Sequence, residues 1–393
     1  MVLEDDSMKK IFSRLDKPLL FVTIVFFLFG LVMILSASSM ESYMRYGSSP
    51  YYYFYRQAIF LVVGMILFLF IIRIPTKVYR GFSYLFMLIV LASLGGLLAY
   101  GYAVNNAQSW FQIGPVNIQP SEFAKTSIIV FLACYYNKNR DDLGSVWTLI
   151  KPIISVIIVF GLVLIQPDFG TAIVIALISF FMFFALPMSK LCRFKFVSLV
   201  LAIIVVGVGA FMFTKGSFLK DYQLERFNFK DPCLRYQEDS GYQLCNSFIA
   251  FKNGGVTGQG IGKSTQKYLY LPESYTDFIF PIIVEEWGLI VGIIIILVYL
   301  FVLFRIYRIA RRAVNLEGAL LAYGVCVYIF LHVAINLVGV MGIGPLTGVP
   351  LPFLSYGGSY VFNLMIALAI VQRVAIESNN MKIKKRKRKL KEA

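Results

Sequence analysis

Charge is what this sequence has least of. Only 15% of its 393 residues are Asp, Glu, Lys or Arg, while 59% are hydrophobic. Soluble domains carry about a quarter charged residues, so a soluble fold is excluded. Apolar runs long enough to cross a bilayer recur from end to end, as in a polytopic membrane protein. Histidine is rarer still: the single His332 has no Cys/His/Asp cluster around it in the sequence, which excludes a zinc-type centre. Lying four residues before Asn336, it reads as half of a helix-packing polar pair. No small-residue cleavage site follows the first apolar run, so that run is expected to be a span and not a removable signal peptide. No internal repeat is visible, and an inverted-repeat transporter gains no support. The Gly-rich run NGGVTGQGIG (253–262) lacks the GKS/T ending of a P-loop at the required spacing, which removes the usual nucleotide site.

Five cysteines remain. Cys134, Cys192 and Cys326 lie in or beside apolar runs and read as small core residues. Cys233 and Cys245 share one long polar segment and could close a disulfide if that segment lies outside the cytoplasm; spacing alone leaves the pairing open. The net charge of +16 is concentrated in short loops and at the C-terminus, a pattern of membrane topology and lipid headgroups and not of nucleic-acid binding.

The apolar runs predict ten spans, at residues 18–37, 57–74, 82–101, 120–136, 152–165, 170–186, 196–214, 277–304, 318–338 and 360–375. The fold class is therefore all-α and polytopic: a lead at 1–17, one membrane domain over 18–376, and a basic tail at 377–393. Tyr51, Tyr52, Tyr53 and Tyr55 resemble an interfacial aromatic belt. The eighth run is long enough to tilt or to extend past the lipid. Basic residues fill the lead, the turns at 76–81, 137–151, 188–195 and 305–315, and the tail, whereas 103–119, 166–169 and 339–358 contain no Lys or Arg. The positive-inside rule then puts both termini in the cytoplasm and the large loop 215–276, between helices 7 and 8, outside. No ATP or nucleotide sugar is available on that side.

Asp277 stands at the junction of this loop with the eighth run, beside Thr276 and four residues after Glu273. There a carboxylate's pKa and hydrogen bonds can be tuned for chemistry; equally, Thr and Asp are ordinary helix N-caps. Glu122 and Lys125, three apart on one helix face, lie within the outer half of the bilayer, where ionisable groups face a cavity or tether helices to each other. Asp168 is a cap of the sixth helix or a site residue. Glu285 and Glu286, about two turns below Asp277, are read as structural and need a cation, for which Lys125 is nearest in depth. Lys252, Lys263 and Lys267 flank the Gly-rich run, whose backbone N–H groups could bind phosphate. The Gly/Pro-dense stretch 344–359 is too irregular to face lipid and should line the same outer cavity as Asp277.

Four motifs, in order, resemble the SEDS family (shape, elongation, division and sporulation proteins): QPSEFAK (119–125), QPDFGTA (166–172), IAFKNGGVTGQGIGKSTQKYLYLPESYTDFIF (249–280) followed by EEWG, and GVPLPFLSYGGS (348–359). The likeness covers nearly the whole chain. It implies a peptidoglycan glycosyltransferase that polymerises lipid II into glycan strands on the outer face of the bacterial cytoplasmic membrane. The implied partners are a class B penicillin-binding protein and other divisome proteins. The run before LPE is closer to the division and sporulation branches than to the elongation branch, implying a place at the division septum, with an elongation polymerase as the alternative. Asp277 matches the family's essential acid, and Glu122, Lys125 and Asp168 match other important polar positions. Trp110, Gln119, Ser121, Gln166, Lys263, Gln266, Lys267, Glu273, Thr276, Pro350, Ser355 and Ser359 complete the expected substrate-binding set. Two departures stand out: Tyr275 replaces a His, and Tyr360 replaces the final Ser of YGGSS, so that Ser359 alone carries that hydroxyl. The Cys233/Cys245 pair lies outside the family pattern.

In the implied reaction the C4 hydroxyl of the incoming lipid II GlcNAc attacks the anomeric carbon of MurNAc on the growing glycan. The configuration inverts and polyprenyl pyrophosphate leaves. Asp277 would be the base, and Lys125, Lys263 or Lys267, or a divalent cation (Mg or Mn) bridged by Asp277, would offset the leaving charge. Two rivals compete with this reading. A lipid II flippase would translocate without polymerising and tolerate Asp277→Ala; a scaffold recruiting a partner synthase would depend on its lipid-facing surfaces.

Overall fold

A long apolar run has one way to satisfy its backbone within lipid, the α-helix, and the apolar runs take it. The computed structural model describes residues 8–47, 49–104, 107–114, 116–190, 193–195, 197–198, 228–237 and 239–392. Its helices are α1 (Met8–Arg14), α2 (Lys17–Tyr46), α3 (Tyr52–Ile71), α4 (Thr76–Tyr100), α5 (Pro120–Lys138), α6 (Val146–Ile165), α7 (Phe169–Phe184), α8 (Asp239–Gly254), α9 (Ile279–Arg311), α10 (Leu316–Val340) and α11 (Gly358–Glu392). Among the described residues, seven of these are long and apolar enough to cross a membrane: α2, α3, α4, α6, α9, α10 and α11. The predicted fourth and sixth spans fall on α5 and on the shorter apolar α7. All but two residues of the predicted seventh span, 196–214, lie outside the described residues, as do residues 215–227 of the large loop.

The helices form two shells. In α5 every residue is buried except Phe123, Tyr135 and Lys138, and α10 and α11 are mostly enclosed as well. Gly324 of α10 permits this close packing, since a Cβ there would come 2.6 Å from Ile129 of α5. The outer helices instead turn an apolar stripe outward. On α3, Ile59, Val62, Ile66 and Phe70 recur at helical spacing and are exposed, as a lipid-facing surface must be.

Three local outcomes differ from the sequence reading. Residues 102–118 are not plain loop: β1 (Tyr102–Val104), β2 (Ala107–Ile113) and β3 (Val116–Ile118) form a three-stranded antiparallel sheet in the order β1-β2-β3, so the fold is not purely α. Its second turn follows Ile113, where Gly114 takes φ 58°. Secondly, α2 continues to Tyr46 because Ser38 and Ser42 of its polar end are buried; in the Tyr-rich stretch beyond, Tyr53 is buried against Tyr275 and Tyr356 and does not belong to a belt. Thirdly, the basic tail continues α11 as helix to Glu392.

The long eighth run is interrupted. At Gly288, φ 83° and ψ 169° break α9 into two rods. The loop after α8 fills the gap: the N–H groups of Gln259 and Gly260 donate to the Glu285 and Glu286 carbonyls, and those of Leu289 and Ile290 donate to the Gly255 and Val256 carbonyls. The break thus leaves these backbone groups paired, as a bilayer interior requires.

Candidate active site

The upper rod of α9 carries the candidate acid at its head. The cap position belongs to Phe278, one residue past Asp277. The chain entering the rod is held at three consecutive carbonyls. The Tyr356 N–H donates to Tyr275 O (2.9 Å), the Ser355 hydroxyl to Thr276 O (2.6 Å), and the Asn336 amide to Asp277 O (2.7 Å). Ser355 is itself fixed by the Leu351 N–H at 2.8 Å. The irregular stretch 344–356 is therefore a template against which 275–277 is laid. Gly348, at φ 67°, lets this stretch pass the acid; a Cβ there would lie 3.7 Å from Asp277 Oδ2.

Around Asp277 the polar groups are shared. The Thr276 hydroxyl lies 2.6 Å from Glu273 Oε2 and 3.1 Å from Asp277 Oδ1. One O–H cannot serve both carboxylates at once. Asp277 and Glu273 are only partly buried. Tyr275 is buried and donates to Glu41 (3.2 Å). Burial first, then its hydrogen bond with Tyr53 and the nearby Glu41, pushes its phenol above the usual range, so it stays a neutral donor. Asp168 caps α7 through the Thr171 N–H (3.1 Å) and also accepts from Gln119 Nε2 (3.0 Å). Gly170, two residues on, abuts the Thr347 carbonyl; the QPDFG turn thus reaches the template one residue from Gly348. Ser359 accepts from the Gln119 N–H and donates to Asn117 O.

The cations are placed differently from expectation. Lys125 does not pair with Glu285 or Glu286; its ammonium donates to Glu122 (2.7 Å) and meets His332 Nε2 (3.1 Å), all three buried. Lys267, which comes from the loop, pairs with Glu286 (2.9 Å) and Ser36 (3.0 Å) and is likewise buried. Glu285 is held by the Ser264 hydroxyl, the Thr265 hydroxyl and N–H, the Gln266 N–H and the Asn253 amide. Depth in sequence predicted the wrong partner because the loop re-enters beside α9. Lys263 is exposed. His332 and Asn336 do not pair with each other: His332 Nδ1 meets Pro350 O (3.2 Å), and Asn336 also donates to Val349 O (2.9 Å). Gln166 is buried and donates to Leu94 O, a packing contact. Ser121 is buried, while Trp110 is half-buried on β2. Cys233 and Cys245 are disulfide-bonded, with Cα atoms 4.9 Å apart.

Among the described residues no group of three or more His, Cys, Asp or Glu could hold a metal ion. The site itself offers two carboxylates and a hydroxyl, fewer oxygens than a divalent cation's shell. A metal here would need phosphate or water for the remainder.

The comparisons with known proteins agree with this architecture. A family model described as cell cycle protein (FtsW, RodA, SpoVE) matches residues 17–380. The chain is 36% identical over 386 residues to a protein of Bacillus subtilis (strain 168) named probable peptidoglycan glycosyltransferase FtsW, covering 98% of this chain and 96% of that one. It is 33% identical over 370 residues to stage V sporulation protein E of the same organism, covering 92% and 96%. Among solved structures, a chain of a peptidoglycan synthase complex that coordinates polymerization and crosslinking superposes with TM-score 0.72 at 26% identity, covering 92% and 97%. The Thermus thermophilus rod shape determining protein RodA superposes with TM-score 0.64 at 23% identity, covering 92% and 96%, a likeness of fold alone.

Proposed function

This chain belongs to the FtsW–RodA–SpoVE family of cell cycle proteins, and on that premise we infer that it is a peptidoglycan glycosyltransferase acting in cell division. Its substrate is lipid II, polymerised on the outer face of the cytoplasmic membrane. Ten spans, cytoplasmic termini, a class B penicillin-binding partner, other divisome proteins and a septal location belong to the same reading. The observation that carries it is the setting of Asp277: a half-exposed carboxylate whose backbone is fixed at three successive carbonyls, at the mouth of a membrane domain.

Asp277 takes the proton from the acceptor C4 hydroxyl as the new C4–O bond to the anomeric carbon forms and the anomeric carbon–phosphate bond breaks. The electron pair leaves with polyprenyl pyrophosphate. A rigid backbone aims the base without reorganisation at the moment of reaction. The buried ammonium groups of Lys125 and Lys267 are engaged by Glu122 and Glu286, so the exposed Lys263 is the better candidate to meet the leaving phosphates. Glu273, Thr276, Asp168, Gln119 and Ser359 border the acceptor.

The test is polymerisation of purified lipid II by the protein with its penicillin-binding partner, products sized on a gel, with Asp277→Asn and Asp277→Ala beside wild type. Long glycan from wild type and none from the folded variants is the expected result. Glycan from all three would remove Asp277 as base; translocation of lipid II without any glycan would favour a flippase.

A further inference from the structure

We propose that His332 and Asn336 are positioning residues for Asp277, and that Lys125 acts on the reaction through His332 and not through the leaving group. The inference rests on the reading of Asp277 as base. One turn apart on α10, the two side chains reach the same template. Asn336 spends both hydrogens of its amide, one on Asp277 O at 2.7 Å and one on Val349 O at 2.9 Å. His332 Nδ1 meets the next carbonyl, Pro350 O, at 3.2 Å. The tautomer follows from the neighbours. A lysine ammonium only donates, so Nε2 at 3.1 Å from Lys125 must accept; the ring proton is then on Nδ1, where it donates to Pro350. Tyr360 stacks on the imidazole at 5.2 Å and Tyr328 meets it edge-on at 4.7 Å, which fixes the ring plane.

The chain of contacts runs Glu122–Lys125–His332–Pro350, and from the adjoining carbonyl Val349–Asn336–Asp277. At the other end of the template, Ser355 and Tyr356 hold the two carbonyls before Asp277. Lys125 is 1% and His332 0% exposed, so neither touches a substrate phosphate. Their effect on the reaction is to set where the Asp277 carboxylate points relative to Gly348. A displacement of about 1 Å in such a group can cost roughly a hundredfold in rate.

The experiment measures initial rates of lipid II polymerisation with the penicillin-binding partner, against lipid II concentration, for wild type, Asp277→Asn, His332→Ala, His332→Gln and Asn336→Asp, with a thermal midpoint for each. His332→Ala and Asn336→Asp are expected to lower kcat about tenfold or more with KM within about threefold, since an interaction felt only at the transition state is lost. His332→Gln restores kcat to within about threefold, because its carbonyl accepts from Lys125 and its amide donates to Pro350. Wild-type kcat in His332→Ala overturns the inference, as does a rise in KM alone or a loss that tracks a fallen midpoint. Lys125→Met in the His332→Ala background adds little if Lys125 works through His332, and multiplies the loss if it meets the phosphates. That variant strands Glu122 and endangers folding, so the His332 series decides the question. Polymerising wild type with an unaffected His332→Ala sinks only this inference, whereas glycan from Asp277→Asn sinks the reading of the base as well.

Discussion

The two ends of the bundle treat their acids differently. At the end assigned to the cytoplasm, three carboxylates, one buried and two partly buried, each meet an arginine from another helix or from the next turn. Asp16 takes both arms of Arg305 (3.1 and 2.6 Å), Glu317 takes Arg80 and Asn137, and Glu377 takes Arg373 and Thr76. Two helices are capped there by side chains, α2 by Asp16 and α10 by Asn315. At the outer end Glu122 and Glu286 take lysines, Lys125 and Lys267, while Glu285, Asp168 and Glu273 meet hydroxyls, amides and backbone N–H groups. α9 is broken at Gly288, and Glu273 and Phe353 sit at φ 54° and 70°, conformations that cost a non-glycine residue about 1–3 kcal/mol each. The difference teaches a division of labour. Charge-assisted ties between helices make a frame, while strained, backbone-bonded segments hold one carboxylate half in water.

The largest expected effect breaks the outer end outright. Gly288→Ala forces an L side chain into φ 83° and puts a Cβ 2.3 Å from the Val256 carbonyl. The inserted loop cannot stay, and the carbonyls of Glu285 and Glu286 lose their partners. A loss of folded protein, on the order of 4 kcal/mol or more, is expected from backbone strain and unmet hydrogen bonds together. Size-exclusion recovery after extraction in detergent would check it, and normal recovery would mean that the break is not structural.

Next come two identical substitutions at opposite ends. Asp277→Asn should lower polymerisation about a hundredfold or more while leaving the thermal midpoint in place, because a general base contributes roughly 10²–10⁴ and the three carbonyl contacts that hold this backbone do not use the carboxylate. Asp16→Asn should do the reverse. It turns a two-armed partner of Arg305 into a poor one at a site about 15% exposed, costing about 1–3 kcal/mol, with the rate per folded molecule unchanged. If Asp16→Asn slowed the reaction at constant stability, the two ends would not be separate devices.

How much of this was legible depends on what each signal encodes. Apolar runs located the helices, since length and hydropathy are all a bilayer asks for; their ends slipped where polar residues such as Ser38 and Ser42 are buried by neighbours. The irregular stretches were visible as dense Gly and Pro, and the template does lie against Asp277. The Gly288 break was not visible, because one glycine in an apolar run is ordinary and the loop that fills the gap comes from thirty residues earlier. The partner of Glu286 was misassigned for the same reason: depth along a helix says nothing of which loop re-enters beside it. The hairpin was missed because β3 has only three residues and the seven of β2, AQSWFQI, do not alternate cleanly between apolar and polar.

The smallest expected effect sharpens the comparison by repeating the Gly288 change where nothing depends on glycine. Gly81 lies early in α4, at the end assigned to the cytoplasm, beside the Arg80 that ties Glu317. It is exposed, and a Cβ there would meet no atom within 4 Å. The same added methyl that evicts a loop at 288 therefore only trades a poor helix former for the best one, worth about 0.5–1 kcal/mol in a helix interior. Gly81→Ala should raise the thermal midpoint by about a degree or two and leave polymerisation unchanged. A fall in midpoint would mean that the tie between Arg80 and Glu317 depends on a freedom of the α4 backbone that only glycine supplies, and the frame would then be less rigid than its arginine contacts imply.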